Sequence, residues 1–193
     1  CVGDYRTGDK QSLFEIRKRV GVVFQNPDNQ LVASIVEDDV AFGAENIGLP
    51  REEIGERIEF ALSAVGMEEY RYSTPARMSG GQKQRIAIAG VLAVRPEVLV
   101  LDESTAMLDP RGRREVMEVV ERLNRENGMS VVLITHYMDE VAKADRVIVL
   151  SDGRIAMTGS PREVFSRGEE LKTYGLSLPV PAQIAQKLRE KGV

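Results

Sequence analysis

The sequence predicts an α/β fold with a parallel β-sheet and an inserted helical segment. Three short apolar runs, rich in β-branched residues, have the composition of strands buried on both faces, and they cover residues 98–101, 131–134 and 147–150. Between the first two runs, residues 113–127 carry apolar side chains at helical spacing, which completes a strand-helix-strand unit. With 193 residues, 42% of them hydrophobic, the chain can bury a core.

The other elements follow from local signals along the chain. Gly128 is expected to end the helix before it, and Ser160-Pro161 is expected to begin a helix near the C-terminal end of the sequence. Further strands are predicted at residues 21–24 and 155–158, and further helices at residues 51–65, 82–94 and 182–191. Residues 26–77 read as mostly helical, without alternating strands. We therefore expect an α/β core of residues 1–25 and 78–160, a helical subdomain of residues 26–77, and a C-terminal helical extension of residues 161–193.

Charge and cysteine content exclude several classes of function. The 26 basic and 30 acidic residues give a net charge of −4, which lacks the basic surplus that holds nucleic acid. The single cysteine, Cys1, excludes an internal disulfide and a multi-cysteine metal site, and it fits a reducing compartment. The most apolar stretch, residues 86–94, is far shorter than the roughly 20 residues that cross a bilayer. Any membrane role must therefore come through a partner.

Two adjacent carboxylates, Asp102 and Glu103, follow the apolar run at residues 98–101. They lie where a parallel sheet places its ligand sites, at the carboxyl ends of its strands. Acidic residues can also simply open a loop, and for an isolated pair that interpretation would be preferred. The chemical interpretation is that Asp102 holds Mg²⁺ while Glu103 activates the water that attacks a γ-phosphate.

A second candidate site lies at Ser79-Gly80-Gly81-Gln82, just before a predicted helix. The N–H groups of a helix N-terminus and the helix dipole attract phosphate there. A serine-capped glycine turn is the alternative, and for Ser-Gly-Gly alone it would be preferred. The longer sequence, continuing into Lys83, is much rarer.

Together these motifs resemble the nucleotide-binding domain of ATP-binding-cassette (ABC) proteins, in composition, order and spacing. The resemblance runs from the strand at residues 21–24 to the turn near Gly159. It implies a P-loop NTPase-like sheet, with ATP and Mg²⁺ as cofactors. It also implies a role for each matching residue: Gln25 in the Q-loop as a catalytic and metal residue, Ser79, Gly80, Gly81 and Gln82 as the signature, Asp102 and Glu103 as the Walker B pair, Asp109 in the D-loop beside the nucleotide, and His136 as the catalytic switch histidine.

One expected motif has no match in these residues. The family has a glycine-rich Walker A loop with a lysine upstream of the position of Gln25, but Gly3 and Gly8 lack its lysine spacing. Every later catalytic motif is intact, and the chain begins with Cys1 rather than methionine. We therefore expect an N-terminally truncated ATPase that is inactive by itself, rather than a degenerate enzyme.

The segment between the Q-loop and the signature points to transport. Gln25 and Ser79 are 54 positions apart, with no cysteine and no heptad run between them, which excludes the coiled-coil and zinc-containing DNA-repair relatives. Residues 21–30, 36–43 and 103–109 resemble the ATPases of energy-coupling-factor importers, including the cobalt and nickel uptake group. The acidic run Glu37, Asp38 and Asp39 is interpreted equally well as a solvated face or as a receptor for basic residues of a membrane subunit.

The resemblance implies an ATP-hydrolysing subunit of an importer for a vitamin or transition metal. Its expected partners are a second ATPase chain, identical or different, a transmembrane coupling subunit and a substrate-binding membrane subunit, with no nucleic acid. The expected location is the cytoplasmic face of the cell membrane, held there by those subunits. The alternatives are a soluble ABC-type ATPase that remodels a macromolecule and a non-catalytic fragment.

Overall fold

The computed structural model describes residues 1–190 and divides the chain into two compact units. The first unit comprises residues 1–134 and the second begins at Thr135. In the first unit the helices are α1 (Leu13–Arg19), α2 (Val36–Asn46), α3 (Arg51–Val65), α4 (Gly80–Leu92) and α5 (Pro110–Asn127). Its strands are β1 (Val20–Val23), β2 (Val98–Asp102) and β3 (Ser130–Ile134).

The three strands of the first unit form a parallel sheet in the order β1-β2-β3. Val23 of β1 pairs with Leu101 of β2, and Asp102 pairs with Ile134 of β3. The carboxyl ends of all three strands therefore lie side by side at one edge. The predicted strand-helix-strand unit is confirmed as β2-α5-β3.

One face of this sheet packs against helices, while the other is partly exposed. Leu99 and Leu101 are completely buried in a core that includes side chains of α3 and α4. On the opposite face, Val22 and Val132 are 36% and 49% exposed. The prediction of strands covered on both faces is thus wrong for residues 1–190, because helices cover only the face that holds the leucines.

Left-handed glycines end the two longest helices of the first unit. Gly66 follows α3 with φ of 65°, and Gly128 follows α5 with φ of 64°. Glycine adopts this conformation without steric cost, so it stops a helix at a defined residue. The predicted helix at residues 51–65 and the end of the second at Gly128 are confirmed.

The second unit contains a β-hairpin and four helices among its described residues. Strand β4 (Val147–Ser151) pairs antiparallel with β5 (Arg154–Gly159), so the prediction of residues 147–150 as a parallel strand is wrong. The reason is the connection: Asp152 and Gly153 both have positive φ, as a two-residue hairpin turn requires. The helices are α6 (Met138–Val141), α7 (Pro161–Ser166), α8 (Gly168–Thr173) and α9 (Val180–Glu190).

Helix α7 begins as predicted, with Pro161 in its first turn and Ser160 as its cap. The Glu163 carboxylate accepts hydrogen bonds from the backbone N–H and the hydroxyl of Ser160, which lower the pKa of Glu163. The predicted last helix matches α9 up to Glu190, and Lys191 lies outside the described residues. Within residues 1–190, no helix combines the length and hydrophobicity that a membrane span needs.

Candidate functional site

The two carboxylates lie where β2 ends, at the edge formed by the carboxyl ends of the strands. Asp102 is the last residue of β2 and is exposed, and Glu103 follows it with φ of 47°. For a residue other than glycine this left-handed conformation costs about 1–3 kcal/mol, and such strain is concentrated at functional sites. The backbone N–H of Glu103 donates to the carbonyl oxygen of Ile134 at 3.0 Å, which anchors Glu103 beside β3.

Gln25 faces Glu103 from the neighbouring strand. Its Nε2 donates to Oε2 of Glu103 at 3.3 Å. The contact follows from the register of β1 and β2. Val23 pairs with Leu101, and Gln25 and Glu103 each lie two residues beyond that pair. Two predicted site residues that are far apart in the sequence therefore touch in the first unit.

The loop after Glu103 is tightly folded and leads to Asp109. Ser104 and Thr105 are both 1% exposed. The backbone N–H of Ala106 donates to the carbonyl of Glu103 at 2.9 Å. This packing fixes the path of the chain between the Walker B pair and the start of α5.

Ser79 caps the N-terminus of α4, as the sequence predicts. Its Oγ accepts from the N–H of Gln82 at 3.3 Å, and Oε1 of Gln82 accepts from the N–H of Ser79 at 2.9 Å. This reciprocal capping box occupies the Gln82 side chain within the helix end. The N–H groups of Gly80 and Gly81 belong to the first turn, where a helix offers no internal acceptor.

The N-termini of α4 and α5 lie close together because both carry a glycine at their contact. A Cβ atom on Gly81 would lie 3.2 Å from the Cα of Gly112. Asp109 caps α5, with its Oδ1 accepting from the N–H of Gly112 at 2.7 Å. Asp109 and the signature residues are thereby brought to neighbouring helix ends, while the Asp109 side chain serves as a cap in this structure.

His136 belongs to the second unit, two residues after β3 ends. It is exposed, and its ring centroid lies 4.2 Å from that of Tyr137. The backbone N–H of Tyr137 donates to Oγ1 of Thr135 at 3.0 Å. The role of His136 beside the carboxylates stays a prediction.

The acidic run at the start of α2 has three different environments. Glu37 accepts two hydrogen bonds from the Arg71 guanidinium, and this raises the pKa of Arg71. Asp39 is 8% exposed, and its Oδ1 accepts from the N–H groups of Val32 and Ala33. Asp38 alone of the three is exposed. Two members of the run thus hold the fold of the first unit together.

Comparison with known proteins assigns this arrangement to a family. The family model described as ABC transporter matches residues 4–106, which is just over half of the chain. The chain belongs to the ABC transporter family. Its motifs at Ser79-Gly80-Gly81-Gln82 and Asp102-Glu103 are in the matched segment.

Among curated ABC transporter proteins, the chain is similar to the energy-coupling factor transporter ATP-binding protein EcfA1. The protein from Caldanaerobacter subterraneus subsp. tengcongensis is 56% identical over 192 residues, covering 100% of this chain and 69% of that protein. The protein from Symbiobacterium thermophilum is 59% identical over 187 residues, covering 97% of this chain and 65% of that protein. The chain therefore spans about two thirds of the length of these relatives.

Solved ABC transporter structures share the fold. The cbiO1 structure from Clostridium perfringens, part of the ABC transporter complex cbiONQ, has a TM-score of 0.78 at 40% identity, covering 92% of this chain and 71% of that one. A dimeric structure of the ATP-binding cassette MJ0796 bound to ADP and Pi has a TM-score of 0.68 at 30% identity, covering 80% and 68%. The predicted family and α/β fold class, and the expectation of an ABC transporter ATP-binding protein, are confirmed at the level of the family.

Three residues that lie around this ABC site in the first unit were not found from the sequence. They are Asp28, Lys83 and Gln84; the sequence places Lys83 beside the signature but assigns it no partner. Lys83 Nζ lies 2.6 Å from Oδ1 of Asp28, and Gln84 Nε2 donates to the carbonyl of Phe24 at 3.2 Å. In the sequence, a polar glutamine two residues after the signature motif, within the predicted helix at residues 82–94, is the signal that could have indicated such contacts.

Proposed function

We propose that the full-length protein is the ATP-hydrolysing subunit of an energy-coupling-factor importer, and that Glu103 is its catalytic carboxylate. The hydrogen bond between Gln25 and Glu103 carries the proposal, because it joins the Q-loop residue to the Walker B pair at one sheet edge. The strained backbone of Glu103 and its anchoring on Ile134 give it a defined position. Glu103 orients and deprotonates the attacking water, and His136 stabilises charge on the γ-phosphate.

Asp102 and Gln25 are the residues proposed to hold Mg²⁺. Carboxylate and amide oxygens suit this hard cation, which usually takes one or two protein ligands together with substrate phosphates and water. When bound, magnesium supplies charge neutralisation on the phosphates.

The signature residues are proposed to act on the nucleotide of a second ATPase chain, identical or different, in a head-to-tail pair. Ser79 and Gly80 are exposed, and the first-turn N–H groups of α4 open outwards as an anion-binding end. Asp109, at the adjoining N-terminus of α5, is proposed to contact the same nucleotide. Gln82 acts in this scheme through the capping box that shapes the turn.

The membrane partners follow the same proposal. A transmembrane coupling subunit and a substrate-binding membrane subunit hold the protein at the cytoplasmic face of the membrane, and the imported solute is a vitamin or a transition metal such as cobalt. The likeness to a cassette that is part of a cbiONQ transporter complex supports this assembly. The surface at residues 31–49 is the proposed docking region, where Val32, Ile35 and Phe42 are exposed apolar residues.

The 193-residue chain alone is expected not to bind Mg-ATP at micromolar concentration. The signature and Walker B residues reach only part of the nucleotide, and no glycine-rich lysine loop for the β- and γ-phosphates occurs in the sequence. Isothermal titration calorimetry measures this directly. The same titration on a full-length EcfA1 relative is the positive control, and micromolar binding by the 193-residue chain would contradict the expectation.

Asp38→Lys in the full-length protein should weaken assembly with the membrane subunits by about 2- to 5-fold, as expected for loss of an exposed charge pair. The change tests Asp38 alone, because reversing Glu37 or Asp39 would break contacts within the fold. Pull-down with quantified subunits measures the assembly. Glu118→Lys on α5 makes the same charge change at another exposed residue and should have no effect. If both variants recovered equal amounts of the membrane subunits, Asp38 would be a solvated side chain without a role in docking.

A further inference from the structure

The backbone of Phe24, immediately before Gln25, is held by two glutamines. Its N–H donates to Oε1 of Gln30 at 3.1 Å, and its carbonyl accepts from Nε2 of Gln84 at 3.2 Å. Gln84 lies on α4 and is completely buried. The carbonyl oxygen before Gln25 is therefore tied to the helix that carries the signature at its N-terminus.

An ion pair ties the same loop to the same helix turn. Lys83 Nζ lies 2.6 Å from Oδ1 of Asp28, and the Lys83 side chain is only 16% exposed. Asp28 is in the short helical turn Pro27–Asn29, whose N-cap Asn26 accepts from the N–H of Asp28. The turn that contains Asp28 is thus held by its own cap hydrogen bond as well as by the ion pair to α4.

We propose that Lys83 and Gln84 are positioning residues that couple the first turn of α4 to the Gln25 loop. Here the name Gln25 loop means residues 24–30. The inference rests on the proposed function, because Lys83 and Gln84 act through the contact of Gln25 with Glu103. A shift of α4 by its signature end is transmitted through both links to the Gln25 side chain, which changes its distance from Glu103.

This role differs from general packing in one respect. Gln84 Oε1 is buried and has no hydrogen-bond partner among the described residues, so the side chain is retained in the core with half of its amide unsatisfied. An apolar residue of the same size would avoid that cost, which is about 1–3 kcal/mol for a buried polar group. The bond from Nε2 to Phe24 is the function that the structure shows for keeping a glutamine there.

The ion pair is tested by charge reversal and rescue in the full-length protein assembled with its membrane subunits. Lys83→Glu and Asp28→Lys should each lower kcat for ATP hydrolysis by about 2- to 30-fold with little change in the KM for ATP. The double variant restores the pair with its charges exchanged and should recover kcat to within about twofold of the parent. Gln84→Leu, which keeps the volume and loses the donor, should lower kcat in the same way.

A second readout follows the loop itself. Amide hydrogen exchange of residues 24–30 should increase in each single reversal and return to the parent rate in the double variant. The matched control is Glu53→Lys, which breaks the ion pair of Glu53 with Arg57, also 2.6 Å long, within α3. It should alter neither kcat nor the exchange of residues 24–30.

The outcomes separate this inference from the proposed function. Parent kcat in both single reversals, or a double variant no better than the worse single, would overturn the coupling. Normal exchange in residues 24–30 in the single variants would overturn it as well. A Glu103→Gln variant that hydrolyses ATP at the parent rate would refute the proposed function of the site, while the exchange measurement would still test the links from α4 to the loop.

Discussion

Replacing Glu103 with glutamine in the full-length ATPase should slow hydrolysis by about 10²–10⁴-fold while ATP still binds. The amide keeps the size of the side chain and an oxygen that can accept from Gln25, but it has no basic oxygen for the water proton. Phosphate release measures the chemical step. Size-exclusion chromatography with ATP should show the closed ATPase pair accumulating, because closure no longer ends in hydrolysis.

Asp102→Asn is the matched comparison, since it makes the same chemical change one residue earlier. Asp102 is proposed to serve the metal, so its loss removes charge stabilisation from the bound phosphates as well as from the transition state. ATP binding should therefore weaken in Asp102→Asn but not in Glu103→Gln, and the closed pair should not accumulate. A Gln variant that hydrolyses ATP at the parent rate would show that Glu103 is not the catalytic carboxylate.

The sequence predicts elements whose signals are local. The helix Arg51–Val65 has the predicted bounds, and Gly128 ends α5 as expected, because a glycine after an apolar-periodic segment acts within one turn. Residues 147–150 show the limit of this reasoning. Their apolar composition suits either strand direction, and the pairing is set by the turn at Asp152 and Gly153, which brings β5 back alongside β4.

The candidate site was predictable as a set of motifs but not as a set of contacts. The order of the signature at Ser79, the pair Asp102-Glu103, Asp109 and His136 carries the resemblance to the family, and the assignment of Gln25 rests on that resemblance. The register of β1 with β2 then brings Gln25 to Glu103. The positive φ of Glu103 and the bond from Gln84 to Phe24 depend on tertiary packing, for which no local pattern exists. The acidic run on α2 suggested either a solvated face or a receptor for a partner's basic residues. In the structure, two of its three carboxylates instead make contacts within the fold.

A second large effect is expected from Gly21→Ala in β1. A Cβ atom built on Gly21 would lie 2.1 Å from Cγ1 of Val91 and 3.3 Å from Cγ of Pro96, so α4 packs against the bare backbone of the strand. One added methyl group forces the strand or the helix to move, and overpacking of this kind costs about 1–3 kcal/mol. Urea unfolding of the chain should show the free energy of unfolding lowered by that amount. In the full-length protein the displacement of β1 should also lower ATPase activity, because Gln25 follows this strand.

Two variants test whether the clash with Val91 causes the loss of stability expected for Gly21→Ala. Gly21→Ala combined with Val91→Ala removes the Cγ1 atom that the new methyl group meets, so the double variant should be more stable than Gly21→Ala alone. Gly55→Ala in α3 is the control, because a Cβ there meets no atom within 4 Å. It should raise the free energy of unfolding by about 0.5–1 kcal/mol through helix propensity. If Gly21→Ala proved as stable as the parent chain, or if the double variant were no more stable than Gly21→Ala, either result would show that the close packing of β1 on α4 is not what requires a glycine at this position.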